Sequence, residues 1–190
     1  MIHIISAILL LLAATGCAHY ELPFLSHDTA KNSTDSTVDL QGVNDGVTSK
    51  KIVIKRIAFP ADEYAQLATS GNSTVKGTIA VTYNGRKIPG RQTRLYLNPV
   101  TSYANQWYRE SYLGGHTMAP SDKRLFNYLK FTASNQNGAF AFYGVPAGKY
   151  YVVGTVNCPE CGGKNIRIAR KVTVNGSNTA TVDLSKSIGL

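Results

Sequence analysis

The stretch 137–153, Asn-Gly-Ala-Phe-Ala-Phe-Tyr-Gly-Val-Pro-Ala-Gly-Lys-Tyr-Tyr-Val-Val, limits what this chain can fold into more than any other. Phe140 and Phe142 fall on one face of a first extended segment, Tyr150 and Val152 on one face of a second. Pro146 fixes φ between them, and Gly138 and Gly148 give the backbone freedom where each segment begins. Period-two alternation around such a turn predicts a half-buried β-hairpin.

Further strands follow at the spacing of a sandwich. Val75, Gly77, Ile79 and Val81 share a face, and Asn84-Gly85 is a tight-turn dipeptide. Thr93, Leu95 and Leu97 are expected to point inward, leaving Arg94 and Tyr96 outside. Residues 129–134 and 139–143 read as a hairpin across Asn135–Gly138, and 150–156 follow with Gly154 inward. Ile166, Ile168, Val172 and Val174 share parity, but Arg170 breaks it, which predicts a bulge or an edge. Ala180, Val182 and Leu184 complete the core. Upstream, Ile52, Val53, Ile54 and Ile57 among lysine and arginine read as an edge strand stopped by Pro60. Residues 61–68 have room for one or two helical turns. The expected fold is all-β, an antiparallel Greek-key β-sandwich of about seven strands with a short helical insertion.

The first fifty residues are of another kind. Ile4 to Ala14 is an apolar run shorter than the ~20 residues of a membrane span, and it ends in Ala14-Thr15-Gly16-Cys17. Residues 19–49 are rich in Ser, Thr, Asp, Asn and Gly and read as a flexible tether. The expected organisation is a signal peptide at 1–16, a lipidated N-terminus and tether at 17–49, and a β-sandwich domain at 50–190.

Two resemblances bear on these readings. Ala14-Thr15-Gly16-Cys17 resembles the bacterial lipobox, which implies acylation of Cys17 and a lipid anchor. Ala18, rather than Asp, after the cysteine resembles the pattern sorted to the outer membrane. The run from Gly138 to Tyr150, G-x-F-x-F-x-G-V-P-x-G-x-Y, resembles the carboxypeptidase regulatory-like domain of the prealbumin (transthyretin-like) class. Val75–Ile79 and the run 85–97 match that family in order, so the resemblance spans about 75–156. It implies a non-catalytic module that supports, presents or binds.

Three groups of residues carry candidate chemistry. Tyr103, Trp107 and Tyr108 lie on one helical stripe with Tyr112 beside it. Such a stripe serves either as an aromatic platform for sugar rings or a protein partner, or, more commonly, as a plug against the sandwich. Cys158 and Cys161 are read as a short-loop disulfide, because zinc needs four ligands and a thioredoxin-type pair needs a helix N-terminus. The basic residues Arg86, Lys87, Arg91 and Arg94 in one hairpin, and Lys164, Arg167, Arg170 and Lys171 in another, form an anion-binding patch if they meet on one surface. A solvated positive face is the ordinary outcome.

With a net charge of +9 over 190 residues, acidic partners are favoured. No nucleic-acid-reading motif accompanies the charge, so nucleic acid is not an expected partner. No catalytic constellation emerges, and neither cofactor nor metal is expected. Two functions fit. The first is a lipid-anchored, non-catalytic interaction or assembly module with an envelope protein partner, held on the bacterial outer membrane through Cys17. The second is a carbohydrate- or anionic-glycan-binding module of the cell envelope.

Overall fold

The computed structural model describes residues 52–176 and 178–189. One long strand, β2 (Ser73–Tyr83), organises the first sheet; β1 (Val53–Ile54) and a helical turn α1 (Ala61–Ala65) precede it. The Asn84-Gly85 dipeptide takes positive φ at both positions and returns the chain as β3 (Arg86–Pro89), antiparallel to the far half of β2. The second sheet is built from β4 (Arg94–Pro99), β6 (Lys130–Ala133), β8 (Gly148–Cys158) and β9 (Lys164–Val174), all antiparallel in the order β6-β4-β8-β9. Between β4 and β6 lie α2 (Ser102–Trp107), a π-helical turn (Tyr108–Leu113), β5 (Thr117–Met118) and a 3₁₀ helix (Lys123–Tyr128).

The near half of β2 is joined by β7 (Ala139–Val145) on the same side as β3. On its other side the C-terminal β10 (Thr179–Thr181) and β11 (Leu184–Ile188) follow one another, both parallel to β2. The two sheets thus hold three and four strand positions, a β-sandwich with a parallel C-terminal seam that the alternation pattern did not announce.

The seam breaks register at Val182–Asp183 and is held there by side-chain chemistry. The Lys76 carbonyl accepts from the Val182 N–H at 2.9 Å. The Asp183 carboxylate accepts from the Thr78 N–H at 3.0 Å and the Thr78 hydroxyl at 2.8 Å. Those bonds hold the Asp183 carboxyl below the usual carboxylate range. On the opposite side of β2, Gly138 with φ +79° accepts from the Ile79 N–H at 2.8 Å, and Gly90 donates to the Ile79 carbonyl at 2.8 Å. A Cβ on Gly138 would lie 2.4 Å from that carbonyl oxygen.

Side chains of alternating parity fill the space between the sheets, including Val75, Ile79, Val81, Leu95, Leu97, Phe140, Phe142, Val152, Ile168 and Leu184. A second core lies on the outer face of the four-stranded sheet. There Tyr96, Tyr151, Val153 and Ala169 pack beneath Tyr64, Tyr103, Ala104, Trp107, Met118, Leu125 and Leu129. The central strands of that sheet are therefore buried on both faces over 95–99 of β4 and 150–154 of β8.

Several sequence expectations are corrected here. The two segments of 137–153 do not form a hairpin: β7 pairs with β2 and β8 pairs with β4 and β9. Phe140 and Tyr150 face each other across the core from different sheets, and parity is the same for an arch as for a hairpin. Residues 129–134 and 139–143 are split between the sheets in the same way, joined at a turn where Asn135 Oδ1 accepts from the N–H groups of Asn137 and Ala139. Of the described residues 52–59, only Val53–Ile54 form a strand, paired with β5 in the helical layer, because Ile54 and Phe59 pack into the second core. Tyr96 is not outside but buried beneath that layer, while Arg94 on the same face is exposed. At Arg170, by contrast, the edge alternative of the expectation holds: β9 is the edge of its sheet and runs through that residue in unbroken register.

Candidate functional site

Cys17 lies outside the described residues. The other candidate residues are placed as follows.

Helix α2 starts at Thr101, whose hydroxyl accepts from the Ala104 N–H at 3.2 Å. Glu63 accepts from the Ser102 N–H at 2.7 Å, tying the helix start to α1; hydrogen bonds from the Ser102 side chain and then its backbone lower the carboxyl pKa. From that start the aromatic stripe divides in two. Tyr103 and Trp107 point into the second core and are 2% and 3% exposed. The Tyr103 hydroxyl accepts from the Asp122 N–H at 2.8 Å, and Phe59 and Arg56 pack against its buried ring, leaving no face for a ligand.

Tyr108 and Tyr112 emerge from the wider π-helical turn and are half-buried at the surface. Tyr108 stacks on Tyr151 with centroids 4.5 Å apart and planes 19° apart, and on Tyr112 at 5.2 Å and 28°. Tyr112 in turn stacks on Trp107 at 6.1 Å. The Tyr151 hydroxyl donates to Asn105 Oδ1 at 2.7 Å, so the base of the stack is fixed by a hydrogen bond as well as by packing.

Cations surround this stack. Lys171 Nζ sits 5.3 Å from the centroid of the Tyr151 ring. Burial pushes the Tyr108 hydroxyl up, and the nearby Arg170 charge opposes it. Burial likewise pushes Tyr151 up, against the charge of Arg109. Arg109, Arg170 and Lys171 are all exposed. Sequence reading included Arg170 and Lys171 in a basic hairpin but did not connect them with the tyrosines. The β8–β9 register links Lys171 to the stack by setting it opposite Tyr151. Arg170, opposite the core residue Val152, leaves the edge strand on the other face and reaches Tyr108 only through its charge.

The two basic groups meet only at Arg94 and Arg167, and the rest of the first group lies elsewhere. Arg86 and Lys87 are exposed on β3 in the first sheet, and Arg91 is exposed in the connection to β4. Arg94 lies on the outer face of the second sheet. It is one step beyond the Leu95–Gly154 pair, in line with Thr155 and Arg167.

Cys158 and Cys161 are joined by a disulfide with Cα atoms 5.2 Å apart, both buried at the tip of the β8–β9 hairpin. A separate cleft of about 170 Å³ opens between Leu67, Tyr128 and the Pro146–Gly148 turn, with Lys130 and Lys149 among its lining residues. Among the described residues no three His, Cys, Asp or Glu side chains gather as a metal site. His116 lies 3.5 Å from the Glu110 carboxylate in an exposed pair.

No protein-family model and no curated protein matches the chain. Among solved structures it is similar to a candidate carbohydrate-binding protein from Pseudomonas aeruginosa. That match has 27% identity and a TM-score of 0.56, over 68% of this chain and 99% of that one. Fainter likenesses are to (S)-allantoin synthase, at 13% identity and TM-score 0.34, over 63% of this chain and 42% of that one. Another is to the dioxygenase domain of a dioxygenase–carbohydrate-binding fusion from Streptomyces sp. SirexAA-E, at 10% identity and TM-score 0.35, over 77% and 98%. The first match shares this chain's β-rich fold; the other two carry no argument.

Proposed function

We propose that this protein is a non-catalytic glycan-binding module of the bacterial cell envelope, built on a carboxypeptidase regulatory-like scaffold and tethered to the outer membrane through acylated Cys17. The observation that carries this reading is the likeness to the Pseudomonas protein, which spans nearly all of that chain. It moves glycan binding ahead of the assembly role that the sequence alone put first. The surface offered for the ligand is the tyrosine stack of Tyr108 and Tyr112 on Tyr151, a rigid aromatic face of the kind that packs against sugar rings.

Trp107 is a core residue, so its removal tests folding and not binding. The informative variants are Tyr108→Ala and Tyr112→Ala, each at a half-buried position. A glycan array and a peptidoglycan pull-down are expected to show binding by the parent that falls by roughly tenfold in each variant, at ~1.4 kcal/mol per decade. Binding that persists in both variants would place the ligand elsewhere, and an array with no binding would remove the reading.

A further inference from the structure

The charges that act on the tyrosine stack are cationic: Arg170 on Tyr108, Arg109 on Tyr151 and Lys171 near the Tyr151 ring. Arg109, Arg170 and Lys171 present N–H groups with fixed positive charge and no acceptor capacity. A neutral sugar, whose hydroxyls both donate and accept, is poorly matched to such a ring; a carboxylate accepts from every member of it. The ion pairs His116–Glu110 and Arg124–Asp122 do not draw on Arg109, Arg170 or Lys171. The cations also continue along the chain. β9 is the edge of its sheet, and Arg167 and Lys171 share one face of it, four residues or about 13 Å apart at ~3.3 Å per residue. Arg94 extends the row across the sheet in line with Arg167. The surface is thus elongated, with its aromatic end at Tyr108 and Tyr112.

Resting on the glycan reading above, we infer that the ligand is a linear glycan bearing carboxylate groups. It lies along the β9 edge with one sugar against the tyrosine stack and its acidic groups on Arg109, Arg170 and Lys171. A single-stranded nucleic acid would use the same two ingredients, but it needs spaced ring faces for successive bases. Here Tyr108 lies against Tyr151 and Tyr112, which leaves one platform instead of a series.

The test uses the full chain and a panel of uronic acid oligomers, each paired with the same oligomer after its carboxyl groups are reduced to hydroxymethyl. Calorimetry is expected to show the acidic member binding at least tenfold more tightly, with an affinity that falls as salt rises. In R170Q/K171Q the acidic oligomer is expected to bind no better than its reduced partner. Both substitutions are at exposed positions, so an unchanged urea midpoint confirms that the fold is intact. Equal affinity for acidic and reduced oligomers, or undiminished acidic binding in R170Q/K171Q, overturns the inference while leaving glycan binding in place. Failure of every oligomer, together with an empty glycan array, overturns both. Equally tight binding of a single-stranded oligonucleotide, or of vesicles containing anionic phospholipid, overturns it by showing that charge alone is being read.

Discussion

At Gly77 the packing of the C-terminal seam admits a hydrogen and nothing larger. A Cβ there would sit 1.8 Å from the Val182 carbonyl oxygen and 3.3 Å from the Phe140 ring. The first neighbour is backbone, and it is fixed by the Val182–Lys76 hydrogen bond, so it cannot turn aside as a flexible side chain would. Gly77→Ala must therefore push β10 and β11 off β2 or strain β2 itself. The expected cost is more than about 3 kcal/mol, in the range reserved for severe lesions. Urea denaturation measures it, and a midpoint equal to that of the parent would show that the seam is softer than its geometry. The same position also shows what alternation can and cannot say. Gly77 falls on the inward face as its parity requires, but the reason it is glycine is a strand more than a hundred positions away in sequence.

At the level of elements, the disulfide and the aromatic insertion play different parts. The Cys158–Cys161 bridge closes a loop of only four residues, so chain-entropy reasoning gives it about 2 kcal/mol. Replacing both residues by alanine is expected to lower stability by that amount without altering the rest of the hairpin, whose register is set by eleven paired positions. Thermal unfolding of the double variant checks this; loss of all folded protein would mean that the bridge is needed to form the hairpin. The insertion was legible only in part. Helical periodicity found Tyr103, Trp107, Tyr108 and Tyr112 together, but the wider turn that begins at Tyr108 separates the buried pair from the surface pair. Periodicity assumes one helical pitch, and the pitch changes there. A clue to the second core was present in β8, where Tyr150-Tyr151-Val152-Val153 is apolar at every position. Such a run marks a strand covered on both faces. Tyr96 was misplaced because that coverage was not extended to its neighbour β4.

For the whole molecule, the sandwich and its inward residues could be read from sequence, since the parity of Val75–Val81, Leu95–Leu97 and Phe140–Phe142 survives in the structure. Partnership between strands could not. A hairpin and an arch between sheets present the same alternation, and the choice is settled only when distant segments compete for the same edges. The proposed membrane tether concerns the entire chain and is tested as such. Cys17→Ser is expected to move the protein from the membrane fraction to the soluble fraction and to abolish incorporation of labelled acyl chains, because one residue would carry the lipid. Retention at the membrane without label would point to some other attachment.

The parallel seam has a consequence for how the molecule is made. The first sandwich strand lacks one of its two neighbours until residues 179–188 exist, and closing so long a loop is slow and entropically costly. A nascent chain therefore carries β2 with one open flank and stays short of its finished state until residues 179–188 are delivered. The fold closes only when that segment docks, and a chain cut short before it is marked as defective by its own exposed backbone.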